Sequence, residues 1–144
     1  MEHLFIAGVL GHFIGDYWLQ SESMAINKSK SHIICCIHCL VYTAAVTVMV
    51  CGASKVPLPN MWIFSTIVFV THYVADRWCL IEKFTKLFGA RNLHKYIDDM
   101  QGEVFNPMHI VRGGFTTLVY AVNDNLFHIL VIYFAIYRYN VFNL

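Results

Sequence analysis

Charge is what this sequence has least of. Only 13% of its 144 residues are Asp, Glu, Lys or Arg, about half of the roughly 25% carried by an ordinary soluble domain. A surface coated with salt links is excluded. The charges nearly cancel as well: ten Lys and Arg against nine Asp and Glu leave a formal net charge of +1, which excludes the basic footprint of a nucleic-acid binder. Intrinsic disorder requires low hydrophobicity and high charge, so it is excluded too. No nucleophilic serine or cysteine motif is present, which argues against covalent acyl transfer. The five cysteines build no disulfide framework, since Cys51 and Cys79 lie near opposite ends of their segments. Cys35, Cys36 and Cys39 spread around one helix and read as small buried hydrophobes before they read as soft metal ligands.

What is abundant is apolar surface: 58% of the residues are hydrophobic and the mean hydropathy is +0.54. With length for one domain, this composition describes a small integral membrane protein. A membrane helix needs about 20 mostly apolar residues, and four stretches qualify, at about 3–20, 32–53, 61–82 and 114–138. The expected fold is all-α: one polytopic domain over residues 1–144, with four transmembrane helices arranged as two tandem two-helix units. The first span is expected to stay in the chain, because it lacks a basic leader and carries His12 and Asp16.

Basic residues set the expected orientation. Lys28, Lys30, Arg77, Lys83, Lys86, Arg91, Lys95 and Arg112 fall on the side of loops one and three, and Lys55 and Arg138 on the other. The positive-inside rule places those two loops in the cytoplasm and both termini outside, in a bacterial inner membrane. Trp18, Trp62 and Trp78, near span ends, fit an aromatic belt. Leu93, Tyr96, Ile97, Met100 and Val104 recur at helical spacing in the third loop. They describe a short amphipathic helix lying on the membrane surface, or a cap over the bundle.

The chain repeats itself. Residues 12–22 and 72–82 share histidine, an aromatic, an aliphatic, a small residue, aspartate, tryptophan and glutamate in the same order. Parallel repeats of this kind occur in transporters, with sites at the repeat interface. Charged side chains in hydrocarbon cost at least about 2.5–3.5 kcal/mol each, so those inside spans mark function first. Here they come in pairs four residues apart, sharing a helix face: His12 with Asp16, His72 with Asp76, and Asp124 with His128. His38 on the second helix is a further contributor.

Depth lets these pairs meet. At about 1.5 Å per residue, Asp16 and His12 lie roughly 8–14 Å inside the boundary near Ser21, and His38 about 10 Å from Ser31. Asp76 and His72 lie about 9–15 Å from Glu82, with Asp124 and His128 about 16–22 Å from Gly113. Ala7, Gly11 and Gly15 repeat every four residues beside the stripe, a spacing that lets membrane helices approach closely.

Imidazoles and carboxylates in this number suit a divalent metal, zinc, manganese or iron. The candidate ligands are His12, Asp16, His38, His72, Asp76, Asp124 and His128, one or two of the carboxylates holding histidines from behind. Two other readings stand beside it: His–Asp pairs that neutralise each other, and a proton or ion relay. Gln20, Lys28 and Lys30 are placed to meet a phosphate or headgroup, or are solvated loop polarity.

The run Gly11-His-Phe-Ile-Gly-Asp-Tyr-Trp-Leu-Gln20, the following Asn27-Lys28-Ser29-Lys30 and His38 resemble the domain-of-unknown-function 3307 family. A second histidine–aspartate helix is matched at His72 and Asp76. The family's terminal Asp-Gln-x-x-His is matched at Asp124 and His128, with Asn125 in place of glutamine. The resemblance implies a small multipass membrane protein of bacteria or their bacteriophages and brings no activity with it.

The function expected from the residues is a membrane metal-binding protein and metal-dependent hydrolase acting at the inner leaflet, with Asp16 or Asp76 as base. The partners expected are the bilayer, an anionic lipid or phosphate-bearing substrate, and a second copy of the chain; nucleic acid is not among them. A small ion or metal transporter, and a non-enzymatic protein of a membrane complex, are the alternatives.

Overall fold

The structure, a computed structural model, describes residues 1–54, 60–87 and 107–142. Every regular element among them is helical. Helix α1 (Glu2–Phe13) runs into a π turn (Ile14–Trp18), followed by α2 (Glu22–Asn27), α3 (His32–Ala53), α4 (Met61–Arg77), α5 (Leu80–Leu87) and α6 (Pro107–Phe142). The all-α class is therefore as expected, and α3 coincides with the predicted span over 32–53.

Among the described residues two helices, not four, are long and apolar enough by themselves to cross a membrane: His32–Ala53 and the Gly113–Tyr139 part of α6. The first predicted span loses its regular winding at Ile14–Trp18, where Leu19 N bonds to Ile14 O at 3.0 Å in the wider π pattern. The third was expected to reach residue 82 but α4 stops at Arg77, and Cys79 turns left-handed at φ 49°, a conformation that ends a right-handed helix. At 17 residues, α4 rises about 25 Å, short of the roughly 30 Å hydrocarbon core.

The linker between the first two spans is also more ordered than a polar loop. Ser21 Oγ accepts from Met24 N at 3.2 Å and starts α2, and Ser31 Oγ accepts from Ile34 N at 3.4 Å and starts α3. Each serine satisfies a backbone donor that a helix N-terminus otherwise leaves open. The amphipathic helix expected around Leu93–Val104 lies outside the described residues.

The chain divides into two compact units, Met1–Trp78 with His128–Leu144, and Cys79–Phe127. The second contains α5 and the first part of α6, where Asn123 Nδ2 donates to Thr85 Oγ1 at 3.5 Å. The first unit holds α1–α4 and the C-terminal part of α6 around one apolar cluster: Leu4, Tyr42, Val46, Val50, Phe64, Val68, Ile132, Ala135 and Ile136.

Helix α1 lies directly on α3 because its contact residues lack side chains. A Cβ at Gly11 would stand 2.7 Å from Val46 Cα, and one at Gly15 would stand 3.0 Å from Tyr42 Cα. Outward faces of the same helices are apolar. Ile6, Leu10, Phe13 and Tyr17 are exposed on α1 and its π turn, Ile33, Ile37, Leu40 and Val48 on α3, and Trp62, Ile63, Ile67 and Val70 on α4.

Candidate metal centre

The interior of the first unit is where the polar residues are. His12 and His38 are 0% exposed, and His72 and His128 are 1% exposed. Asp16 and Asp76 are buried beside them. Four helices supply these groups: α1 with its π turn brings His12 and Asp16, α3 brings His38, α4 brings His72 and Asp76, and α6 brings His128.

Four ligand atoms converge. His38 Nε2 lies 3.0 Å from His72 Nε2, 3.2 Å from Asp16 Oδ1 and 3.2 Å from Asp76 Oδ2. His72 Nε2 completes the set at 3.5 Å from Asp16 Oδ1 and 3.3 Å from Asp76 Oδ2. Ligands about 2.0–2.2 Å from a tetrahedral zinc stand about 3.3–3.6 Å from one another. Asp16 Oδ1, His38 Nε2 and His72 Nε2, 3.0–3.5 Å apart, have the spacing of one face of such a tetrahedron, slightly contracted.

The hydrogen-bond chemistry of the cluster points the same way. A neutral imidazole carries one N–H, so the two facing Nε2 atoms and two carboxylate oxygens are mostly acceptors directed at a common point. Asp16 Oδ1 is shielded from solvent and meets neither ring nitrogen at a hydrogen-bonding angle. A buried anionic oxygen without a donor is costly; a cation among Asp16 Oδ1, His38 Nε2 and His72 Nε2 would satisfy it. Two ligand sets lie wholly within the first unit, Asp16 with His38 and His72, and Cys39 with His72 and Asp76.

A second layer orients the first. His12 Nδ1 stands 3.4 Å from Asp16 Oδ2 and 3.2 Å from the Tyr42 hydroxyl. His128 Nδ1 stands 3.2 Å from His72 Nδ1, and its Nε2 is 3.9 Å from Asp76 Oδ1. His12 and His128, named in sequence with the other ligands, are thus behind the carboxylate and imidazole they steady, a placement that fixes ligand tautomer and direction. Asp124 lies one turn before His128 on α6 and belongs to the second unit.

Lys28 and Gln20 close one edge. Lys28 Nζ lies 2.8 Å from Asp76 Oδ2. With its amide turned to match its surroundings, Gln20 donates to the Asp16 carbonyl at 3.2 Å and accepts from Lys28 Nζ at 3.1 Å. Lys30 is exposed, so of the three linker residues two reach the centre.

Tyr42 was not legible as a site residue. Its ring stacks on His72 with centroids 3.7 Å apart and planes at 12°, while its hydroxyl reaches His12. The available signal was its position one turn after His38 on the same face. Cys39, read as packing, is buried with Cys35, their sulfurs 3.9 Å apart.

A family model described as a protein of unknown function (DUF3307) matches residues 4–144. No curated protein and no solved structure matches the chain.

Proposed function

The chain belongs to the DUF3307 family, whose description carries no activity, and from its own side chains we propose that it is an integral membrane protein holding a divalent metal for hydrolytic chemistry. The observation that carries the metal reading is the spacing of Asp16 Oδ1, His38 Nε2 and His72 Nε2, which stand 3.0–3.5 Å apart like one face of a tetrahedron. Asp16, His38 and His72 form a two-histidine, one-carboxylate set of the kind that leaves a position for substrate or water. A divalent ion there supplies Lewis-acid activation of water. Asp76, beside that position and held by Lys28, would be the carboxylate placed to take a proton from such a water. Zinc fits the spacing; manganese and iron accept the same donors.

The membrane reading rests on an inverted distribution of polarity. Four histidines and two aspartates are inside the first unit, while Ile33, Val48 and Trp62 are 72%, 68% and 70% exposed. Apolar outer faces of this extent mark contact with lipid or another protein. In our reading all four long helices enter the bilayer, α3 and α6 crossing fully, α1 and α4 as shorter segments met by local thinning. Arg77 donates to the Ser29 carbonyl and sits 3.1 Å from His32, so Lys28, Arg77 and the α2–α3 link share one end. Arg138 lines a cavity with Asn60, at the other. That division agrees with loops one and three facing the cytoplasm of a bacterial inner membrane.

Metal content tests the function. Protein purified in detergent is expected to hold one divalent ion per chain by inductively coupled plasma mass spectrometry, and Asp16→Asn or His38→Ala protein is expected to hold none. Folded wild-type protein that takes up no zinc, manganese or iron overturns the reading in favour of mutually neutralising His–Asp pairs.

A further inference from the structure

We propose that Lys28 is an anion-binding arm, so that the centre binds a phosphoryl oxyanion when metal is present and each of the two tightens the other. The proposal rests on the metal reading above and names its ligand class. Lys28 is placed by local structure: it follows α2, with its N–H bonded to Met24 O at 2.9 Å. Its side chain is 18% exposed, whereas those of His38 and His72 are 0% and 1% exposed. Of these three side chains Lys28 is the one open to solvent.

Asp76 Oδ2 is shared. Lys28 Nζ approaches it at 2.8 Å, His38 Nε2 at 3.2 Å and His72 Nε2 at 3.3 Å. A divalent ion among the ring nitrogens draws the charge of Asp76 to itself and weakens its hold on the ammonium. A partly buried ammonium needs a replacement acceptor. Gln20 offers a neutral carbonyl at 3.1 Å, a weaker partner than an anion. A phosphoryl group supplies several oxygens at once, enough to reach both an ammonium and a metal position beside it. Lysine is a frequent point-charge partner of phosphate. Because the two ligands act through one shared carboxylate, the coupling is reciprocal: phosphate tightens metal by the factor by which metal tightens phosphate.

Calorimetry on the full chain in detergent micelles tests this with zinc and inorganic phosphate as probes. Zinc-loaded wild type is expected to bind phosphate at least tenfold more tightly than metal-free protein. Lys28→Met should keep stoichiometric zinc and lose that tenfold, and Lys28→Arg should restore most of it, which separates charge from misfolding. Dihexanoyl phosphatidic acid binding more tightly than phosphate, with dihexanoyl phosphatidylcholine silent, identifies a lipid headgroup as the source; equal affinities identify free phosphate. Phosphate affinity that ignores both zinc and Lys28, or acetate binding as tightly as phosphate, overturns the proposal while leaving the metal reading intact. Wild-type protein that takes no zinc overturns both.

Discussion

His38 and His72 point the same ring atom at each other, Nε2 to Nε2 at 3.0 Å, from helices α3 and α4. Two neutral imidazoles meeting this way offer one proton at most between them, and the carboxylate oxygens of Asp16 and Asp76 crowd the same point. The pair is therefore the natural place to divide ligands from their supports.

Alanine at His38 or His72 is expected to abolish stoichiometric metal binding, measured by competition with a chromophoric chelator. Alanine at His12 or His128 removes an orienting contact instead, and such changes typically cost about 10–100-fold in affinity. Chelator treatment should lower the melting temperature of wild type and leave that of His38→Ala unchanged. Saturation at about 100 times Kd corresponds to about 2.7 kcal/mol of stabilisation. Equal metal loss in all four variants would dissolve the two-layer arrangement.

Tyr42 joins the layers, with its ring on His72 and its hydroxyl 3.2 Å from His12 Nδ1. Tyr42→Phe keeps the stack and gives up one hydrogen bond, an expected cost of about 1 kcal/mol. Tyr42→Ala also opens a cavity, and by analogy with other aromatic truncations should cost about 3–5 kcal/mol. Chemical unfolding in mixed micelles reads both. A Phe variant as unstable as the Ala variant would show that the hydroxyl, not the stack, holds the site.

The close approach of α1 and α3 makes a further claim about packing. Gly11→Ala places a methyl 2.7 Å from Val46 Cα, a backbone atom that cannot rotate away. Overpacking of this kind costs about 1–3 kcal/mol, and here it also moves His12 and Asp16 away from α3, so metal affinity should fall with stability. Gly52→Ala is the control, since nothing lies within 4 Å of its added Cβ. In a helix that change is expected to be neutral or stabilising by up to about 1 kcal/mol.

The pairs His12–Asp16 and His72–Asp76 were legible because spacing of four on a helix fixes a common face. His38 was legible from its depth. The inequality between the two repeats was not. The repeated histidines take different places, His72 among the converging atoms and His12 behind Asp16, because the first motif winds through a π turn at Ile14–Trp18 while the second stays α-helical to Arg77. Residue types alone do not announce that change of winding. Lys28 was read as loop polarity or a headgroup contact, and its inward turn onto Asp76 depends on the short helix that Ser21 caps. Span length failed for a related reason: hydropathy counts apolar residues across a break such as Trp78–Cys79 without registering the left-handed backbone there.

Orientation is testable through cysteine. Cys51 is exposed in the last turn of α3, whereas Cys35 and Cys39 are buried. A thiol reacts as thiolate and needs access to water, so buried Cys35 and Cys39 should resist labelling. In a chain with Cys36 and Cys79 changed to serine, a membrane-impermeant maleimide is expected to label Cys51 in spheroplasts and not in sealed inverted vesicles. Arg138 and Asn60 then mark the outer end, and Lys28 opens toward the cytoplasm. Labelling confined to inverted vesicles would reverse that assignment, and an anion reaching Lys28 would then have to come from the outer side.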